Sequence, residues 1–208
     1  MCFSATASFV ASGGLAVLGA ESLRLANSKQ RAIAVIPLMF AVQQAFEGFQ
    51  WLSAAIGEVN SFAAYGFVII ALLVWPIYIP LTVYVLDKQR RNVLAWTLGI
   101  GFALALYYFV LLLLEPIQVH VLRHGIYYQV PMLFGQITGM IYFLAICGAL
   151  LASSKREFRF FGVAIFASVM IAAIFFATTF ASIWCFFAAL LSSLIYLYIR
   201  KDSKKKRR

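Results

Sequence analysis

The chain has 208 residues, of which 64 % are hydrophobic and 12 % charged, with a formal net charge of +10. A soluble domain carries roughly 45–50 % apolar and about 25 % charged residues, so water could not solvate this chain's surface once it was compact. Those proportions exclude a soluble enzyme, a nucleotide-binding α/β domain and, despite the positive charge, a partner of nucleic acid. The solvent that remains is the lipid bilayer.

Residues 2–20, 32–46, 59–86, 92–114, 125–154 and 160–199 contain no Asp, Glu, Lys or Arg. A helix rises 1.5 Å per residue, so about 20 residues cross a hydrocarbon core of ~30 Å. The second stretch continues past Glu47 to about Ile56. The last stretch, as one helix, would be about 60 Å long, twice the bilayer, and must turn back near Thr178–Ser182. The expectation is an all-α bundle of seven spans at 4–24, 32–56, 62–86, 92–114, 130–152, 158–178 and 182–200. Residues 1–200 form the transmembrane domain, and 201–208 form a polybasic tail suited to anionic lipids. With seven spans, sixteen of the seventeen basic residues share one side with the C-terminus, and Arg123 alone lies opposite. The positive-inside rule then places the N-terminus outside and the C-terminus in the cytoplasm.

In the first span, Ser4, Ser8 and Ser12 recur every four residues, with Gly13, Gly14 and Gly19 beyond. Small residues at that spacing let helices approach closely in lipid, so this reads as a packing face. No basic region or cleavage site marks the N-terminus as a cleavable signal.

The second span holds the anomaly. Glu47 sits near the middle of a membrane helix, where an acid is costly and therefore a functional candidate. On a helical wheel Gln43, Glu47 and Gln50 fall on one stripe, with Gln44 and Trp51 on its flank. Lipid offers such side chains no partners. They form either a ligand or ion site or a structural hydrogen-bond network. No Lys or Arg lies within any span's centre, so Glu47 is expected to be a neutral acid. It would donate to Gln43, to Gln136 of the fifth span or to a freed carbonyl of the third.

The third span carries Trp75-Pro76 and Pro80. Each proline removes a backbone donor and frees the carbonyl four residues back, at Leu72 and Pro76. The resulting kink places Trp75 as a lining residue of any cavity beside it.

Between the fourth and fifth spans, 117–121 and 126–130 alternate β-branched and polar residues around Leu122-Arg123-His124-Gly125. This predicts a short extracytoplasmic β-hairpin, with a plain β-rich connector as the alternative. His120 and His124, with Glu115 nearby, have a metal-ligand spacing only if helical. His124 is also a candidate proton relay.

Cys2 and Cys185 fall on the oxidising side of this topology, whereas Cys147 lies in the opposite half. A Cys2–Cys185 disulfide is expected there; a thiol pair for metal and a nucleophilic Cys2 are the competing readings. No span contains the lysine that a retinal Schiff base needs, and no span contains a histidine for a seven-helix zinc hydrolase.

The opening Met-Cys-Phe-Ser-Ala-Thr-Ala-Ser-Phe, the pattern Gln43-Gln44-x-x-Glu47-Gly48-x-x-Trp51 after Pro37, and Ser182-Ile183-Trp184-Cys185-Phe186-Phe187-Ala188-Ala189 resemble an uncharacterised family of bacterial multi-pass membrane proteins. The resemblance spans the chain. It implies a bacterial cytoplasmic membrane, adds weight to Cys2, Glu47 and Cys185, and brings no activity with it.

Three functional expectations follow. The first is an outward-opening polar pocket of Gln43, Gln44, Glu47, Gln50, Trp51, Trp75 and Gln136 that binds a small or lipidic ligand for sensing or transport. The second is a membrane enzyme using Glu47 as acid or base with His120 and His124, with or without a metal. The third is a structural partner for another membrane protein.

Overall fold

In the computed structural model, residues 4–122, 125–130 and 135–206 are described. Seven of its helices are long and apolar enough to cross a membrane: Ala5–Leu25, Arg31–Ala55, Ser61–Leu86, Arg91–Leu114, Gly135–Ala152, Arg156–Phe175 and Ala177–Ser203. The chain divides into two compact units, one of Met1–Phe67, Val121–Tyr127 and Phe176–Arg208, the other of Val68–His120 and Tyr128–Phe175.

The first unit is built on α1 (Ala5–Leu25), α2 (Arg31–Ala34), α3 (Ile36–Ala55) and the first part of α4 (Ser61–Ile69), and on the last helix. Ser4 caps α1, its Oγ accepting from the Ala7 amide at 3.2 Å. The expected packing face holds at Ser8, Ser12 and Gly19. Ser8 is buried, Ser12 Oγ donates to the Ala41 carbonyl at 2.8 Å, and Gly19 lies against Leu38. Gly13 and Gly14 depart from it, being exposed with open space around them. The helix break at Val35 precedes Pro37, which has no N–H to continue the ladder. α3 ends where Gly57 adopts φ 76°. There the Gly57 amide donates to the Ala54 carbonyl and the Glu58 amide to the Ser53 carbonyl, so orphan carbonyls at the helix end are satisfied.

The second unit contains the third span from Val68 onward, α6 (Arg91–Leu114), α7 (Gly135–Ala152) and α8 (Arg156–Phe175). Ahead of α5 (Trp75–Leu86), residues Ile70–Val74 form a π-helical turn in which the Trp75 amide reaches the Ile70 carbonyl. In that register the carbonyl that loses its donor to Pro76 is Ala71, one residue earlier than the α-helical count predicts. The Tyr142 hydroxyl donates to it. The Pro76 carbonyl, freed by Pro80 as expected, lies so close to Gly101 of α6 that a Cβ there would overlap its oxygen.

The hairpin forms as β1 (Gln118–Leu122) paired with β2 (Gly125–Gln129), with Ile126 and Tyr128 buried and β1 largely exposed. The expected turn near Thr178 is a single 3-10 turn, Ala177–Thr179, which explains the lack of a Gly or Pro marker. α9 (Phe180–Lys206) then runs on through Lys206, so the basic segment after 200 continues the last helix as far as that residue.

Candidate functional site

Every polar member of the α3 stripe is buried. Gln43, Gln44, Glu47 and Gln50 all have 0 % exposure. The partners come from α9, which lies against α3 within the first unit. Gln43 Nε2 donates to Cys185 Sγ at 3.4 Å, and the Ser182 hydroxyl donates to Glu47 Oε1. Rising numbers on α3 meet falling numbers on α9, so the two helices run antiparallel. Ser182 and Cys185, three apart, share one face of α9, as Gln43 and Glu47, four apart, share one face of α3. Gln44 Nε2 closes the group, donating to Glu47 Oε2 at 3.4 Å.

Several polar atoms in this region have no hydrogen-bond partner among the described residues: Ser8 Oγ, Gln44 Oε1, both amide atoms of Gln50 and Trp51 Nε1. α1 carries Ser8 to this level because Phe9 packs on Gly48, where a Cβ would come within 2.8 Å of the Phe9 ring. A buried polar group without a partner costs about 1–3 kcal/mol, and native folds rarely gather several in one place. Five such atoms, on Ser8, Gln44, Gln50 and Trp51, belong to α1 and α3.

The structure corrects the expected disulfide and locates the other candidate residues. Cys185 is a free, buried thiol turned toward Gln43, so the bridge to Cys2 is not formed; Cys2 itself lies outside the described residues. Gln44 and Ser182 donate to Glu47, and Gln43 donates to the Cys185 sulfur. Trp75 and Gln136 both belong to the second unit. Trp75 is buried there, edge-on to Tyr78 at 6.5 Å between ring centroids, and Gln136 is exposed.

His120 and Glu115 are exposed, and His124 lies outside the described residues. No group of three His, Cys, Asp or Glu able to hold a metal occurs among the described residues. Cys147 is a buried free thiol.

Sequence reasoning missed Asp87. It follows α5 in the second unit and is 1 % exposed. Its Oδ2 accepts from Ser153 Oγ at 2.7 Å and from the Ser154 amide at 2.6 Å. Its Oδ1 accepts from Ser154 Oγ at 2.8 Å and from the Gln89 amide at 3.1 Å. Burial alone would raise its pKa, but these donors outweigh it and hold the carboxyl at about 2. The cluster ties the loop after α5 to the loop before α8. The signal available in the sequence was an acid beside Lys88 and a Ser153-Ser154 pair, each ordinary for a loop.

The chain belongs to a family of unknown function (DUF6629), whose model matches residues 1–208. No curated protein and no solved structure matches it.

Proposed function

We propose that this chain is a multi-pass protein of a bacterial cytoplasmic membrane that holds a small or lipidic ligand at Glu47 for sensing or transport. One observation carries the reading. Beside a fully buried carboxyl group, Ser8, Gln44, Gln50 and Trp51 of α1 and α3 present hydrogen-bonding atoms that the described residues do not satisfy. A bound ligand supplies what those atoms lack and offsets the expense of burying them. The basic-residue distribution supports an N-out, C-in orientation. The polybasic end of α9 then meets the anionic leaflet, at about 1 kcal/mol for each basic residue near the surface.

Native mass spectrometry of gently solubilised protein tests the ligand reading. The wild type should carry a co-purifying molecule or a bound ion, and Glu47→Gln, which keeps size and hydrogen bonding, should lose it. Identical unadorned masses for both proteins, with no ion dependence of either, would contradict it. A reporter fused after Arg208 that is active only outside the cytoplasm would overturn the orientation.

A further inference from the structure

The donor atoms narrow the ligand. On α1 and α3 the unsatisfied atoms are three oxygens, Gln44 Oε1, Gln50 Oε1 and Ser8 Oγ, and two N–H groups, Gln50 Nε2 and Trp51 Nε1; the oxygens are the ones a cation would take. Ser182 Oγ lies on the carboxylate itself. These four side chains and Glu47 each have 0 % exposure. They come from α1, α3 and α9 of one unit. Gln50 is one turn beyond Glu47 on the same stripe, and Ser8 is brought level by the seat of Phe9 on Gly48. The set is rich in hard oxygen donors and can supply one negative charge if Glu47 ionises as a cation enters. Hard cations take carboxylate, carbonyl and hydroxyl oxygens, whereas softer transition metals take sulfur and imidazole. Divalent ions in protein cages recruit several carboxylates, and no cluster of three acidic, His or Cys groups exists among the described residues. Within lipid, one charge matched by one charge is the arrangement that leaves no net charge buried.

We propose that the Glu47 group is a binding site for a dehydrated alkali cation, held by Glu47, Gln44, Gln50, Ser8 and Ser182. This rests on the reading of the group as a ligand site and names the ligand's class. The cation is the coupling ion or the sensed ion of the protein. Cys185 stands outside the donor set, its sulfur engaged by Gln43.

The test uses the full chain in detergent at fixed ionic strength, with choline chloride replaced stepwise by NaCl or by KCl. Thermal unfolding of the wild type should rise saturably by roughly 5–10 °C in one of the two salts at a hundredfold excess over the dissociation constant. Glu47→Gln should show no rise. Ser182→Ala and Gln50→Leu, which keep the charge and give readable curves if Glu47→Gln folds poorly, should each need about tenfold more cation for half the effect. Tyr142→Phe, in the other unit, should keep the wild-type half-saturation point. A wild type that melts identically in Na⁺, K⁺ and choline overturns the cation assignment, as does an equal rise in Glu47→Gln. If that cation-insensitive protein still carries a Glu47-dependent organic molecule by native mass spectrometry, the ligand site stands and only its class is wrong. If it carries nothing, both readings fall.

Discussion

Asp87 and Glu47 are both withdrawn from solvent, at 1 % and 0 % exposure, yet their surroundings differ in kind. Asp87 accepts four hydrogen bonds from Gln89, Ser153 and Ser154, two from backbone amides and two from hydroxyls. Every donor aimed at it is used, and no cation is required to keep it charged. Glu47 receives the Ser182 hydroxyl and one long contact from Gln44 at 3.4 Å. Beside it, the acceptors of Gln44, Gln50 and Ser8 stand idle. A carboxylate that the fold satisfies is a structural tie. A carboxyl group on a helix whose other polar atoms stand unused is where a ligand is proposed. The difference teaches that burial of an acid does not by itself mark function; the state of its neighbours does.

The comparison can be broken by mutation, and the largest effect is expected at the tie. Asp87→Ala leaves two hydroxyls and two amides without their acceptor and should lower stability by about 3 kcal/mol or more, read as a lower melting temperature in detergent. A loss under about 1 kcal/mol would put Asp87 in the same class as a solvated loop acid.

Glu47→Leu comes next. It strips the Ser182 hydroxyl and the Gln44 amide of their acceptor, at about 1–3 kcal/mol. Glu47→Gln measured in choline should stay within about 1 kcal/mol of wild type, because the amide retains an acceptor and size. A Glu47→Gln protein as damaged as Glu47→Leu would make Glu47 a second structural tie and erase the contrast.

Tyr142→Phe calibrates the scale. It removes one hydroxyl from the Ala71 carbonyl at the π turn and should cost about 1–1.5 kcal/mol, with no change in ligand response.

The smallest effect is in pH. The Asp87 carboxyl is held at about 2, below its ordinary 3.8. Its stabilisation is therefore complete above the unfolded value and lost as pH falls through the folded one. The gap in melting temperature between wild type and Asp87→Asn should be constant from neutral pH to about 5 and then close as pH approaches 2. A gap independent of pH would show that charge contributes nothing to the tie.

Much of the architecture was legible because lipid imposes a simple rule on composition: the spans and the hairpin follow from uncharged runs and alternation around Gly125. Glu47 and its stripe were legible for the same reason, since an acid within a membrane helix is conspicuous. What faced them was not. Ser182 and Cys185 read as part of a turn and half of a disulfide, because only the register of α9 on α3 puts them opposite Glu47 and Gln43. Asp87 was hidden among loop charges, its donor Ser153 lying 66 residues away in sequence. The π turn shifted the orphan carbonyl from Leu72 to Ala71 by one residue. A wheel drawn at 100° per residue cannot anticipate that shift.

Infrared difference spectroscopy of the wild type, recorded as an alkali cation replaces choline at constant pH and ionic strength, tests the central claim most directly. The account predicts a carboxylate band that shifts with the cation, is absent from Glu47→Gln and persists in Asp87→Asn. A spectrum indifferent to the cation, or a shift that survives in Glu47→Gln, would contradict it.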